Sequence, residues 1–296
     1  MPQSSELNLR TVGTALPLVV VSVAYHSQSP LTSLAADLGR QQSGVLRWIV
    51  VDQAPDSAPL NPAPLRQRLE TVPLLVLQGK QGGGFGAGCN CGLEYLQRVG
   101  YQGWIWLLNP DTSLPNGDEA QQLLEALAEL PADALVGTAV CDANGEIEPN
   151  GGWIDPGLNF RRRKVSRADS LRPEPLGLDW LSGCSLVLQP TAHNPPARFD
   201  PCFPLYYEDM DLCLRLAQQG AQVLWLPQVA VNHQKGGGSL TPSNRRLELS
   251  TISYLRFLRR YCEPWVRQLR QLRLMISALL RPRQAGAIWR GFRRAG

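Results

Sequence analysis

Leu16-Pro17-Leu18-Val19-Val20-Val21-Ser22-Val23-Ala24 is a Val-rich run with no alternation of polar and apolar residues. A strand with one wet face alternates. A strand buried on both faces does not, and such strands belong to parallel sheets covered by helices. Beyond this run, residues 31–40 have helical spacing, 48–51 form a second short strand ending at Asp52, and 74–77 a third. A Gly-rich stretch, 79–92, leads into a helix that runs through Arg98. Residues 104–108 read as a fourth strand ending at Asn109-Pro110-Asp111, 121–130 as a helix, and 134–140 as a fifth strand. Strands alternating with helices imply βαβ units and an α/β fold with a mostly parallel sheet. Polar residues cluster just after strand ends: Tyr25, His26, Asp52, Asn109 and Asp111. Open α/β sheets bind ligands along that carboxyl edge, so the site is expected there.

The remainder is less regular. Residues 142–178 are rich in Gly, Pro and charge and read as a long excursion or mobile loop. Order returns at 180–188, an apolar strand interrupted by Ser182-Gly183, and at two short strands, 223–226 and 229–231, before His233. From Leu247 the chain looks helical, with a break at Pro264. There is no internal repeat.

A chain of 296 residues, 44% hydrophobic and 18% charged, suits one large α/β domain or two small ones and excludes a disordered protein. The net charge of +4 hides an asymmetry. From Arg245 to Gly296 there are thirteen Arg, no Lys and two acids, Glu248 and Glu263, a net of +11. The other 244 residues carry 16 bases and 23 acids, a net of −7. An acidic body with a basic tail points to a charged surface or polymer as the tail's partner. It argues against nucleic acid as partner of the body. Seven cysteines without a CxxC pair or zinc-ligand spacing suit a reduced, cytoplasmic setting. The apolar run before Tyr25 lacks the flanks of a signal peptide, and no segment reaches the roughly 18 apolar residues that span a bilayer.

The densest chemical signal is Leu205-Tyr206-Tyr207-Glu208-Asp209-Met210-Asp211-Leu212, which continues amphipathically to Gly220. Carboxylates in the first turn of a helix sit in the positive end of its dipole. Beside a cleft, such a group can take a proton from a substrate hydroxyl, although plain helix capping explains the same residues. Gly82–Gly84 and Phe85-Gly86-Ala87-Gly88 suit close approach of backbone to phosphates, or a structural turn. The run follows the third strand, not the first, which disfavours a dinucleotide site. Asn109-Pro110-Asp111-Thr112 is a turn whose carboxylate can hold Mg²⁺ or Mn²⁺. His233 can ligate a transition metal, and Lys235 with Gly236–Gly238 can hold a diphosphate.

In this order, Val19–His26, Val51-Asp52, Gly84–Gly92, Leu108–Thr112, Trp180–Cys184, Arg198–Asp200, Tyr207–Arg215 and His233–Ser239 resemble the inverting family-2 glycosyltransferases of GT-A fold. The closest likeness is to the bacterial rhamnosyltransferase and galactofuranosyltransferase-like branch, over about residues 17–240. The resemblance implies a GT-A domain at 16–240, with a nucleotide-binding half at about 16–140 and an acceptor half at about 141–240. A short extension, 1–15, precedes it and a basic helical tail, 241–296, follows. The resemblance implies that Ala24, Tyr25, Asp52, Gly84, Phe85, Asn90, Asn109 and Lys235 bind the nucleotide sugar. It makes Asp111 and His233 the metal ligands, Asp209 the catalytic base with Glu208 orienting it or the acceptor, and Trp180, Ser182, Gly183 and Cys184 the acceptor wall. Departures are Gln53-Ala54-Pro55 after Asp52, Gly82 where an Asn is usual, and Asn109 in place of the first metal-motif Asp.

The implied activity is metal-dependent, inverting transfer of a sugar, rhamnose being the leading suggestion, from a nucleotide-diphosphate donor to a glycan or lipid-linked glycan. Its setting would be synthesis of a cell-envelope polysaccharide from the cytoplasmic side. The rivals are a nucleotidyltransferase, which wants a basic Gly-rich loop that residues 25–30 do not supply, and a sugar-nucleotide- or glycan-binding protein of the same fold without turnover. In the tail, Tyr254, Phe257, Leu258 and Tyr261 recur at helical spacing among arginines, and the stripe continues past Pro264. That pattern fits peripheral contact with an anionic membrane, or packing on the domain or across a homodimer.

Overall fold

The computed structural model describes residues 7, 9, 16–42, 46–155, 161–234 and 243–296. The first half alternates as the hydrophobic pattern requires: β1 (Leu18–Ala24), α1 (Gln28–Arg40), β2 (Leu46–Asp52), α2 (Ala63–Leu69), β3 (Leu74–Gln78), α3 (Phe85–Arg98), β4 (Ile105–Leu108), β5 (Thr112–Ser113), α4 (Glu119–Ala128) and β6 (Leu135–Cys141). The second half contains β7 (Gly151–Asp155), β8 (Arg161–Lys164), α5 (Arg167–Ser170), β9 (Leu176–Gly177), β10 (Trp180–Leu181), β11 (Ser185–Leu188), α6 (Glu208–Gln218) and β12 (Val223–His233). Three helices close the chain: α7 (Ser243–Tyr261), α8 (Pro264–Leu280) and α9 (Pro282–Ala295).

Every residue of β1, β2 and β6 is buried, as unalternating apolar runs require. Val19, Val21 and Val23 face one core layer, shared with α3 and α6. Leu18, Val20 and Ala24 face the other, shared with α1, α2 and α4. Among the described residues the main sheet runs β3-β2-β1-β4-β11-β6-β12-β5, with β9 also on β12. Strands β1 to β4 are mutually parallel, as are β6 and β12, whereas β11 runs antiparallel between β4 and β6. The α/β, mostly parallel architecture expected from the sequence is therefore present, with one reversed strand at its centre.

Several local expectations change. The Gly-rich run is largely helix, because α3 already begins at Phe85. A Cβ on Gly88 would lie 2.4 Å from Val23 Cγ1, so this glycine lets α3 approach β1 closely. Residues 142–178, expected as an excursion or mobile loop, include the β7–β8 hairpin, which with β10 forms a second sheet. The single strand expected at 180–188 divides. Ser182 N–H turns to Asn150 O at 2.7 Å, while Cys184 O receives Asn109 N–H at 2.9 Å, so the two ends join different sheets. The two strands expected around Pro227 are one strand, β12, with a register shift between Leu226 and Ala230. Proline has no N–H for the ladder, and the irregularity absorbs it.

The tail is not an appendage at its start. Phe257 of α7 lies in the same core as α3 and α6. Asp211 of α6 is fully buried and pairs with Arg215 at 2.6 Å, Arg260 at 2.6 Å and Tyr261 Oη at 2.7 Å. Arg260 also reaches Asp200 at 2.8 Å. Glu248 gathers Arg245 (2.9 Å), Arg290 (2.9 Å) and Arg294 (2.7 Å), which ties α9 back to α7. Part of the basic excess is thus paired internally.

Removing one partner of a buried carboxylate leaves a poorly compensated charge. Arg260→Ala is expected to cost about 3 kcal/mol of unfolding free energy in urea titrations. Arg293→Ala, at an exposed position, should stay within about 0.5 kcal/mol of the parent.

Candidate active site

Three strand ends meet at the carboxyl edge of the sheet. The register pairs Ala24 with Asp52, and Asp52 with Gln78. Asp52 is buried, and its two oxygens accept from Ala54 N–H and Leu60 N–H, each at 2.9 Å. Its carboxylate therefore shapes the loop after β2. Tyr25 N–H and O both engage the Ser27 hydroxyl, and its ring meets His26 edge-on at 4.7 Å.

A second group forms where β12 pairs with β5. The partners are His233 and Thr112, and Gln234 N–H closes on Asp111 O at 2.9 Å. This register, with the turn in which Asn109 O accepts from Thr112, sets Asp111 against His233. Asp111 Oδ2 stands 3.4 Å from His233 Nε2. Glu148 Oε2 stands 3.2 Å from Nδ1 on the far side of the ring. The hydrogen bond to Asp111, against the opposing effect of burial, and then Glu148 hold the imidazole pKa above its ordinary value. Two donors on adjacent corners of an octahedral ion with ligand distances of about 2.1 Å stand about 3 Å apart. The Asp111–His233 pair fits that spacing, and an oxygen-plus-imidazole set suits Mn²⁺. Among the described residues no three His, Cys, Asp or Glu side chains converge as a complete cage. Glu148 was not anticipated. It lies in a turn-rich stretch with no periodicity, and only the fold carries it to His233.

The third group is the break between β10 and β11. Gly183 N–H donates to Asp209 Oδ2 at 3.0 Å. A Cβ on Gly183 would lie 2.5 Å from the Phe85 ring, so glycine is what lets this backbone come close. Burial pushes the Cys184 thiol pKa up, and the charges that add to this are Asp111, Glu148 and Asp209. Ser182 Oγ accepts from Cys184 N–H at 3.3 Å.

Glu208 and Asp209 part ways at the start of α6. Asp209 lines a cavity of about 450 Å³ with Trp180, Tyr206, Tyr207 and Met210. Glu208 is 6% exposed and its Oε2 has no hydrogen-bond partner among the described residues. Desolvation, then the charge of Asp209, raises its pKa well above the usual carboxylate range. Glu208, expected to orient the acceptor or Asp209, is buried and does not line this cavity, whereas Asp209 accepts from Gly183 N–H and Met210 N–H. The remaining cavity wall was also unforeseen. Leu247, Ser250, Thr251 and Tyr254 of α7 and Leu274 of α8 supply it. Trp180 is buried, with an indole N–H that finds no partner among the described residues.

Phe85 stacks edge-on against Phe199 at 5.7 Å. Asn90 is committed at both ends of its amide to the backbone of Phe199, at 2.8 and 2.9 Å. As placed it clasps α3 to the 198–200 segment. Gly84, the residue before α3, sits in the left-handed region with φ 86°. Lys235 and the glycines after it lie outside the described residues.

No family model matches the chain. It is 28% identical over 145 residues to an N-acetylglucosaminyl-diphospho-decaprenol L-rhamnosyltransferase from two Mycobacterium tuberculosis strains, CDC 1551 / Oshkosh and ATCC 25618 / H37Rv. The match covers 45% of this chain and 47% of the relative, so it spans about half the length of the curated relatives. Among solved structures it is similar to GalNAc-T7 with UDP, GalNAc and Mn²⁺, with TM-score 0.58, 13% identity and coverage of 84% of this chain and 48% of that one. It is also similar to the mannosyltransferase PcManGT of Pyrobaculum calidifontis with GDP-Man and Mn²⁺, with TM-score 0.55, 12% identity and coverage of 91% and 73%. S. aureus TarS 1–349 with UDP-GlcNAc gives TM-score 0.55, 16% identity and coverage of 85% and 69%. The fold is that of the GT-A glycosyltransferases, as the sequence resemblance implied.

A carboxyl group whose pKa is raised on folding stabilises the protein below its unfolded pKa and loses that contribution as pH rises through the folded value. Glu208→Gln should therefore gain thermal stability relative to the parent as pH increases from mildly acidic to mildly alkaline. Melting curves across that range check this, and a difference independent of pH would contradict it.

Proposed function

We propose that this chain is an inverting glycosyltransferase that moves a sugar from a nucleotide-diphosphate donor to a hydroxyl of a glycan or lipid-linked glycan. The observation that carries the reading is Asp209. Its carboxylate is held by Gly183 N–H at the wall of an aromatic cavity, and the carbonyl of the next residue, Cys184, accepts from Asn109 N–H in the turn that carries Asp111. Aromatic faces of Trp180, Tyr206, Tyr207 and Tyr254 suit the C–H faces of a sugar, and Trp180 adds a buried N–H donor.

In this reading the donor lies across the strand ends at Ala24, Tyr25 and Asp52, with Asn109 toward its phosphates; the family resemblance adds Lys235 as a phosphate ligand. Asp111 and His233 would hold a divalent cation, with Glu148 fixing the imidazole from behind, the usual arrangement of metal-bound histidines. Bound there, Mg²⁺ or Mn²⁺ would neutralise charge developing on the leaving diphosphate. Asp209 takes the proton of the acceptor hydroxyl as its oxygen attacks the anomeric carbon. The bond from that carbon to the phosphate oxygen breaks, and the nucleoside diphosphate leaves with the electron pair. One displacement inverts the centre, and no glycosyl-enzyme intermediate forms. The named activity of the mycobacterial relative makes rhamnose the first sugar to test and a diphosphate-linked prenol glycan the first acceptor class.

A positioned base contributes about 10²–10⁴-fold to rate. Asp209→Asn is expected to lose turnover by that order while donor binding stays within a fewfold. Donor binding is read from thermal shift with a panel of nucleotide sugars, with Mn²⁺, Mg²⁺ or chelator. Turnover retained in Asp209→Asn would remove it as base, and metal-dependent donor binding without transfer to any acceptor would favour the binding-protein reading. Glu148→Gln is expected to weaken metal-dependent donor stabilisation by about 10–100-fold in metal concentration, and an unchanged metal titration would exclude the positioning role.

A further inference from the structure

The inner side of α8 packs on the protein through Val266 and Ala278, and Leu274 reaches the cavity that holds Asp209. The opposite side is also apolar. Trp265, Leu269, Leu272, Ile276, Leu279 and Leu280 form one stripe along the helix and are between 47% and 77% exposed. Their spacing keeps them on one face at 100° per residue. A continuous exposed stripe of this size on a soluble domain marks an interaction surface.

The charge around it selects the partner. From Pro264 to Gly296 the chain has eight Arg and no Asp, Glu or Lys. Arg273 borders the stripe, and exposed Arg281 and Arg283 follow directly at its end. A second copy of α8 would bring mostly arginines against arginines, with exposed Glu263 just before the helix too few to balance them. A bilayer surface carrying anionic headgroups offers both the apolar depth and the opposite charge. Trp265 at one end of the helix and Trp289 on α9, 43% exposed, suit the headgroup boundary. Among the described residues no helix is long and apolar enough to cross a membrane.

We infer that α8 lies in the surface of an anionic membrane, with its outer stripe in the acyl boundary and its inner side forming a wall of the Asp209 cavity. The cavity then sits at headgroup height, where a sugar carried on a membrane-anchored phosphate would be presented to Asp209. The use of this contact rests on the transferase reading, but the contact itself is tested separately.

The 296-residue chain, without donor or metal, is co-sedimented with phosphatidylcholine vesicles made with and without phosphatidylglycerol. Binding to the anionic vesicles, weakened by salt, is expected, with at least about tenfold less in the triple variant Leu269→Gln/Leu272→Gln/Ile276→Gln. Arg273→Glu/Arg281→Glu/Arg283→Glu, which touches only exposed charge, should lower it as well and stands in if the first variant unfolds. Absence of binding, equal binding to neutral vesicles, or indifference to both variants overturns the proposal. So does a concentration-dependent dimer abolished by the apolar variant, which would assign the stripe to a second copy. If vesicle binding fails while transfer to a water-soluble acceptor persists, the membrane contact falls and the transferase reading stands.

Discussion

The buried carboxylate of Asp211 is the point on which the site depends. It draws Arg215 from its own helix and Arg260 and Tyr261 from α7, so α6 cannot be placed without α7. The consequence lies just upstream. Tyr206 and Tyr207 both adopt left-handed backbone, with φ 63° and 67°, a conformation that costs on the order of 1–3 kcal/mol per non-glycine residue. What holds them is α7: Tyr207 packs on Phe257 and Tyr254 at 4.9 and 5.8 Å, and Leu205 N–H donates to Ser253 Oγ. This double turn starts α6 abruptly and presents Asp209 to the backbone of Gly183.

The two adjacent acids show how environment divides equal chemistry. Glu208 and Asp209 are one residue apart and have the same functional group. One points into the packing between α3 and α6, where desolvation favours the neutral form. The other meets backbone N–H donors at a cavity wall. Separating the environments of paired carboxyl groups is how a protein assigns them different roles. Asp111 and Glu148 grip opposite nitrogens of one imidazole.

The closing helices join the two themes. α7 belongs to the core and to the cavity, α9 is tied back through Glu248, and α8 stands between the cavity and an apolar outer face. A charge census alone treats this region as one basic segment. Its arginines divide into those that hold the fold, such as Arg260 and Arg290, and those left at the surface, such as Arg273 and Arg281.

The sequence by itself determined the layered α/β fold, because an unalternating run such as 18–24 is stable only when both faces of its strand are covered. It also marked the strand-end residues Asp52, Asn109 and Asp111 and the start of α6, because turns and first-turn acids are local chemistry. Tertiary structure alone decided the rest. The reversed strand β11 depends on how the chain divides at Ser182-Gly183-Cys184, and hydrophobicity does not encode strand direction. Glu148 reaches His233, and Tyr254 and Leu274 reach Asp209, through contacts distant in sequence that leave no periodic trace. The different environments of Glu208 and Asp209 exist only once α3, α6 and α7 are packed, because solvation is a property of the surroundings and not of the residue.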